Sequence, residues 1–244
     1  MDGRKRTKRR PENALSRLFY SSIFTSKKSK NIRKFEHKDV ILTYKPTNEV
    51  TNMQKSKIIL ASASPRRKEL MVMAGYEFEI KVSHKEEIYH SEAPDEIVKE
   101  LSLLKAKDIA EQEEKKNVII IGADTVVAYD GKILGKPVSK EDAFQMIKSF
   151  QGQKHQVYTG VAILKFDLQG NETIINQAVK TDVYVNPMTD EEIWNYIEKD
   201  NVMDKAGAYG IQSGFAIHIE KIEGDYFNVV GLPISFIYEA MKGE

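Results

Sequence analysis

The chain has 244 residues, enough for one large or two small domains, and 41% of them are hydrophobic, which is sufficient for a buried core. The absence of cysteine excludes disulfides and thiolate metal sites, and the five histidines lack the spacing of a zinc site. No apolar run approaches the ~20 residues that a membrane span needs, so we expect no membrane partner.

The basic charge of the chain is concentrated at its beginning. Residues 1–50 hold fourteen Lys or Arg against five Asp or Glu, although the whole chain has a net charge of only +1. Three interpretations remain open: a solvated disordered tail, a targeting or nuclear-import signal, and a contact with nucleic acid or another anionic surface, which we favour least. We expect a basic, disordered extension over residues 1–55, a folded domain over residues 56–244, and a cytoplasmic protein unless the extension directs it elsewhere.

From residue 56 onward, strand and helix patterns alternate. The predicted elements are strand Ile58–Ser62, helix Pro65–Ala74, strand Phe78–Val82, a helix from Pro94 to about Glu114, strand Val118–Ile121, a hairpin turn at Asp130-Gly131, helix Ser139–Phe150, strands Gln156–Phe166 and Thr173–Val185, a helix from Thr189 to about Lys199, a hairpin over Ile217–Val230 turning at Gly224, and helix Leu232–Met241. Because antiparallel strands interrupt the alternation, we predict an α/β fold with a mixed sheet and flanking helices.

The turn between the first strand and the first helix has the composition of an anion site. Ser64 is a predicted N-cap, and the free amides of the helix Pro65–Ala74 follow it. Ser62, Arg66 and Arg67 add a hydroxyl and two guanidinium groups, a combination that favours phosphate. The alternative is an ordinary capped helix whose arginines are solvated. Adjacent helical side chains diverge by ~100°, so we assign Arg67 to phosphate and Arg66 to the base or sugar.

Two acidic positions and two lysines could carry chemistry. Asp124 is predicted to end the most apolar strand, where ligands bind in α/β sheets, although a turn-capping aspartate is the alternative. Glu87 follows the second strand, beside Glu86, and two adjacent glutamates are also typical of a solvated surface. Lys105 lies on a lysine-rich helix, whereas Lys136 lies in a loop between glycine and proline.

Several separated blocks in register resemble the Maf family of nucleoside triphosphate pyrophosphatases, from about Lys57 to the C-terminus. The blocks are Ala61–Leu70, Gly122–Val127, Leu134–Pro137, His155–Val161, Asp204–Gln212 and Asn228–Pro233. The resemblance implies an elongated, two-lobed, inosine triphosphatase-like fold with a central cleft.

The resemblance also implies roles for individual residues. Asp124 matches the proton acceptor of the family and, with Glu87, would hold Mg²⁺ or Mn²⁺ through hard oxygen ligands. The residues expected to bind the substrate are Ser62, Ser64, Arg67, Lys105 and Lys136.

Three positions tend to separate two branches of the family. Arg66, Thr125 and Gln212 resemble the branch that acts on dTTP and UTP rather than the branch that acts on 7-methyl-GTP. The Gln212 amide offers a donor and an acceptor, which complement the O4 and N3–H of uracil or thymine. One departure lies beside the base: Ser213-Gly214 follows Gln212 where the family usually has glycine.

We therefore predict a metal-dependent pyrophosphatase that converts dTTP and UTP to the monophosphate and pyrophosphate. The alternatives are a nucleotide-binding regulatory protein without turnover and a 7-methyl-GTP pyrophosphatase. The expected partner is the triphosphate, and a homodimer is compatible with the sequence.

Overall fold

The computed structural model describes residues 55–242. Its strands are β1 (Lys57–Ala61), β2 (Glu79–Ile80), β3 (Val118–Tyr129), β4 (Lys132–Leu134), β5 (Lys154–Phe166), β6 (Glu172–Val185) and β7 (Ile219–Glu223). Its helices are α1 (Pro65–Met73), α2 (Pro94–Ala110), α3 (Lys140–Phe150), α4 (Asp190–Lys199), α5 (Tyr226–Val230) and α6 (Ile234–Ala240). The expected extension over residues 1–55 falls outside this range except for residue 55, so the proposed domain boundary stays a prediction.

The strands form one mixed sheet in the order β2-β1-β3-β5-β6-β7, with β4 paired to β3. β1 runs parallel to β2 and β3, and the remaining pairs are antiparallel. Helices flank the sheet, so the predicted fold class is confirmed. Within residues 55–242, no helix combines the length and the apolar character required to cross a bilayer.

The sequence predicted that Asp124 ends its strand, but β3 continues past Asp124 to Tyr129. The small residues Gly122 and Ala123 leave the strand unbroken because β5 supplies antiparallel partners along nearly its whole length. Asp124 therefore lies in the strand interior, directly opposite Gly160 of β5.

The two faces of β3 pack against different helices. Ile119, Ile121 and Ala123 share a buried cluster with residues of α1 and α6. Val118 and Ile120 share another with residues of α2. Because side chains alternate along a strand, Asp124 points to the α2 face and Thr125 to the α1 face.

Helix α2 lies unusually close to the sheet because two glycines face it. A Cβ added to Gly122 would lie 2.2 Å from the Ser102 carbonyl oxygen, and one added to Gly160 would lie 2.1 Å from that of Val98. These contacts are backbone to backbone, so only glycine permits this packing. They set the height of the helix above Asp124.

Turn and cap signals were predicted well, whereas short elements were not. Asp130 and Gly131 have positive φ in the two-residue β3–β4 hairpin, and Ser139 and Thr189 cap α3 and α4 as predicted. The predicted hairpin over Ile217–Val230 is wrong: β7 pairs with β6, and α5 follows it. Asp225 starts that short helix by accepting a hydrogen bond from the Phe227 amide. The second strand keeps only two residues, and the helix expected to reach about Glu114 ends at Ala110.

Candidate active site

A cavity of about 580 Å³ opens between α1, the middle of β3, the loop after β4 and the segment that follows α4. All but one of the residues predicted to form the site line it. These are Ser64, Arg66, Arg67, Glu87, Lys105, Asp124, Thr125, Lys136 and Gln212. Ser62 is not among the lining residues: it is buried and accepts hydrogen bonds from the Ser64 amide and from Arg67.

Two carboxylates meet at one ammonium group on the α2 side of the cavity. Lys105 Nζ lies 2.5 Å from Asp124 Oδ1 and 2.8 Å from Glu87 Oε1. The Asp124 and Lys105 side chains are only 12% and 15% exposed, so their interaction is weakly screened by water. Burial would raise the pKa of Glu87, but the hydrogen bond from Lys105 and the charges of Lys105, Lys136 and Arg67 hold it below its usual value.

The same two carboxylates are suitable ligands for a divalent cation. They come from different segments, β3 and the connection between β2 and α2, and converge on one positive charge. Within residues 55–242, no three His, Cys, Asp or Glu side chains form a metal-binding group. The donor set therefore fits a hard cation that takes two protein carboxylates and completes its coordination with phosphate oxygens and water.

Arg67 is held on the opposite face of β3 by internal hydrogen bonds. Its Nε donates to the Gly231 carbonyl oxygen at 2.8 Å, and its Nη1 donates to Ser62 Oγ at 3.1 Å and to the Ala123 carbonyl oxygen at 2.9 Å. Nη2 donates to Thr125 Oγ1 at 3.0 Å. Four of the five guanidinium protons are thus engaged, which leaves one Nη2 proton and the positive charge for a ligand.

Ser64 and Lys136 leave polar groups open to the cavity. Ser64 occupies the predicted N-cap position of α1, yet its side chain makes no capping hydrogen bond. The first amides of α1 consequently remain available to an anion. Lys136 is exposed at the cavity wall, in a loop tied down by the Gly207 amide, which donates to the Gly135 carbonyl oxygen at 2.9 Å.

Arg66 reaches across the mouth of the cavity. Its Nη1 lies 3.3 Å from Asp204 Oδ2, and Asp204 Oδ1 lies 2.9 Å from Lys205 Nζ. Neither Asp204 nor Lys205 was among the predicted site residues, although both open the Asp204–Gln212 block that resembles the family. A charged pair placed next to a glycine-rich block was the available signal.

Gln212 is exposed in a turn that α4 supports. The Ser213 amide donates to the Gly210 carbonyl oxygen at 3.1 Å, which makes Gln212 the third residue of a four-residue turn. Ser213 Oγ donates to the same carbonyl at 2.9 Å, and the Gly210 amide donates to Tyr196 Oη at 3.3 Å. The serine at the departure from the family pattern therefore closes the turn that carries Gln212.

An uncapped helix N-terminus, clustered cations and two carboxylates around a sheet cavity are features typical of α/β proteins that bind phosphorylated ligands. Residues 57–244 match the family model described as Maf-like protein. The chain belongs to this family.

Curated relatives extend this finding. The dTTP/UTP pyrophosphatase of Agathobacter rectalis is 47% identical over 198 residues, which cover 77% of this chain and 97% of the relative. The protein of the same name from Thermoanaerobacter sp. is 45% identical over 188 residues, covering 77% of this chain and 96% of the relative. The one from Thermotoga petrophila is 44% identical over 183 residues, covering 75% and 87%.

Solved structures align more distantly. The Staphylococcus aureus Ham1 protein covers 77% of this chain and 98% of its own at 11% identity with a TM-score of 0.40. A dITP/XTP pyrophosphatase from Mycobacterium abscessus covers 52% of this chain and 74% of its own at 14% identity with a TM-score of 0.31.

Proposed function

We propose that this protein is a nucleoside triphosphate pyrophosphatase that hydrolyses dTTP and UTP to the monophosphate and pyrophosphate. The observation that carries the proposal is the convergence of Asp124, Lys105 and Glu87 in a cavity that also contains Lys136 and the open N-terminus of α1. The names of the relatives, taken with 44–47% identity over most of the chain, support the same activity.

Asp124 accepts the proton of the attacking water in this proposal. Its Oδ1 is bonded to Lys105, which fixes the carboxylate and leaves Oδ2 to orient the water. The water oxygen attacks the α-phosphorus in line and forms a new P–O bond, while the bond from that phosphorus to the bridging oxygen breaks. The electron pair leaves with pyrophosphate, and the proton of the water moves to Asp124.

The cationic residues offset the charge that develops on the leaving pyrophosphate. Lys136 lines the cavity, and no side chain among residues 55–242 caps the first amides of α1, whereas Arg67 contributes its charge and one Nη2 proton. Ser62 holds Arg67 and Ser64 in place because its hydroxyl oxygen accepts hydrogen bonds from the Arg67 guanidinium and from the Ser64 amide. Asp124 and Glu87 would hold Mg²⁺ or Mn²⁺, and the bound cation would neutralise phosphate charge.

Base preference follows from Arg66, Thr125 and Gln212, which line one cavity. The Gln212 amide provides a donor and an acceptor for the 4-carbonyl and imide N–H of uracil or thymine. The ion pair with Asp204 restrains Arg66, and the hydrogen bond from Arg67 restrains Thr125. This arrangement supports a pyrimidine substrate over 7-methyl-GTP.

The test is pyrophosphate release by the purified protein from dTTP, UTP, CTP, GTP and 7-methyl-GTP, each with Mg²⁺, with Mn²⁺ and with a chelator. We expect the highest kcat/KM with UTP and dTTP and loss of activity with the chelator. Binding without release from any triphosphate would favour the regulatory alternative, and a preference for 7-methyl-GTP would favour the sister branch. A cytoplasmic location and a homodimer remain parts of the proposal, to be checked by imaging and by light scattering.

A further inference from the structure

A chain of hydroxyl groups runs from the cavity into the protein interior. Arg67 Nη2 donates to Thr125 Oγ1 at 3.0 Å, and Thr125 Oγ1 lies 2.9 Å from Thr159 Oγ1. Thr159 Oγ1 in turn donates to the Asn228 carbonyl oxygen at 2.9 Å. Thr159 is completely buried, whereas Thr125 is half-buried and lines the cavity. One end of the chain therefore faces the ligand and the other end is fixed.

The fixed end determines the direction of every hydrogen bond in the chain. The Asn228 carbonyl oxygen can only accept, so the single proton of the Thr159 hydroxyl is directed towards it. If Thr159 instead donated to Thr125, two oxygen atoms 2.9 Å apart would face each other without a proton between them. Thr159 must therefore accept from Thr125.

Thr125 then has nothing left to donate. Its one proton is directed to Thr159, and one of its lone pairs accepts from Arg67. The remaining lone pair is the only hydrogen-bonding capacity that this hydroxyl can offer to a ligand in the cavity.

We propose that Thr159, through the direction of this hydrogen-bond chain, makes Thr125 an obligate acceptor and so selects nucleotides that present a donor at that point. The inference rests on the proposed function. The donor is either the base imide N–H, which uracil and thymine have and cytosine replaces with an acceptor, or the 2′-hydroxyl of the ribose, which UTP has and dTTP lacks. In the first case Thr125 and the Gln212 amide carbonyl share the one imide proton in a three-centre hydrogen bond. Thr159 is a positioning residue, since it does not line the cavity and acts through Thr125.

The experiment compares two substitutions, of which one keeps the shape of threonine without its hydroxyl and the other keeps the hydroxyl without the methyl group. Thr159→Val removes the hydroxyl and frees the Thr125 proton, whereas Thr159→Ser keeps the hydroxyl and serves as the matched control. UTP is compared with CTP to test the base, and with 2′-deoxy-2′-fluoro-UTP to test the sugar, since each analogue places an acceptor where UTP has a donor. Thermal unfolding identifies folded variants, and Thr159→Ala replaces the valine variant if that variant does not fold.

We expect Thr159→Val to reduce the discrimination against one of the two analogues, measured as a ratio of kcat/KM values, by about fivefold or more, as for one hydrogen bond. Thr159→Ser should keep both ratios within about twofold of wild type. Unchanged ratios in the valine variant, or equal changes in both variants, would overturn the proposal.

Binding separates this inference from the proposed activity. The Kd values of α,β-methylene-UTP and α,β-methylene-CTP, together with that of the 2′-fluoro analogue of the former, give the same ratios without turnover. A wild type that binds these probes but releases no pyrophosphate from any triphosphate would end the pyrophosphatase proposal alone. Binding ratios that are the same in wild type and Thr159→Val would end the Thr159 inference alone.

Discussion

At the scale of single residues, Asp124 is the position on which turnover should depend most. Asp124→Asn keeps the shape and can still contact Lys105, but it removes the basic oxygen. We expect kcat to fall by ~10²–10⁴ while the Kd for the triphosphate changes less than about tenfold. Steady-state kinetics and calorimetry give the two numbers.

Asp130→Asn provides the matched control for that substitution. Asp130 lies in the exposed hairpin turn directly after the same strand, with a φ of 48°, a conformation that asparagine tolerates well. Its kcat should stay at the wild-type value. A fully active Asp124→Asn variant would remove Asp124 from the mechanism.

A second residue-scale prediction concerns His155, which is fully buried. Its Nε2 bonds with Tyr209 Oη at 2.8 Å, while Nδ1 has no hydrogen-bond partner within the described residues. Burial lowers the pKa of His155 to about 4, against a smaller opposing effect of the Asp182 charge. As pH falls from about 6.5 towards 4, the unfolded chain binds a proton that the folded protein does not, so stability is lost in that window.

The His155 contribution should lower the free energy of unfolding at pH 4.5 by on the order of 2 kcal/mol relative to pH 7. His155→Gln should lose that part of the pH dependence in urea titrations, whereas His90→Gln, at an exposed site, should keep it. Identical pH profiles for wild type and His155→Gln would show that the buried imidazole does not control acid stability.

At the scale of elements, the contact of α2 with the two glycines should be the least tolerant part of the fold. Gly160→Ala places a methyl group against the Val98 carbonyl, so α2 must shift away from the sheet. Overpacking of this kind typically costs ~1–3 kcal/mol, and the shift should also separate Lys105 from Asp124. We expect a lower Tm together with a kcat at least about tenfold lower, measured at a temperature where the variant remains folded.

Gly135→Ala is the control, because a Cβ there meets no atom within 4 Å. It should leave Tm nearly unchanged. If Gly160→Ala matched Gly135→Ala in Tm, the close packing of α2 would not constrain the fold.

The elements also show which parts of the fold a sequence can reveal. Local signals sufficed for the Asp130-Gly131 turn and for the Ser139 and Thr189 caps, since neighbouring residues alone determine them. The continuation of β3 through Asp124 could not be predicted from local signals, because it depends on pairing with β5. That strand begins twenty-five residues after the end of β3 at Tyr129. Helix α5 has only five residues, too few to show a periodic pattern.

The candidate site, like the fold, could be predicted only in part from the sequence. Motifs brought Asp124, Lys105 and Glu87 into consideration, but not the fact that one ammonium joins both carboxylates. For Arg67 the sequence indicated a phosphate contact, and only the fold reveals how many of its protons are already engaged. Partners distant in sequence, such as Asp204 for Arg66, cannot be identified from local composition.

For the molecule as a whole, we expect residues 56–244 to work without the basic residues 1–55. The family match begins at residue 57, and every residue with a role in the proposed reaction follows that position in the sequence. A protein that begins at Ser56 should therefore keep kcat/KM for UTP within about threefold of full length at physiological salt. Low salt could reveal an electrostatic contribution of the extension to association.

The comparison is made at two ionic strengths, with circular dichroism to verify folding. A hundredfold loss in a folded, shortened protein would mean that the extension belongs to the active site.

The contact of α2 with Gly122 and Gly160 has a consequence for how sequences of this kind can diverge. Where a helix rests on side chains, each change in their volume moves it, and any catalytic group it carries moves too. Here the backbone of α2 packs directly against the backbone at Gly122 and Gly160. The height of Lys105 above Asp124 therefore does not depend on the size of the surrounding apolar side chains. We therefore expect that the interior on either side of β3 can be repacked while the distance between Lys105 and Asp124 stays the same.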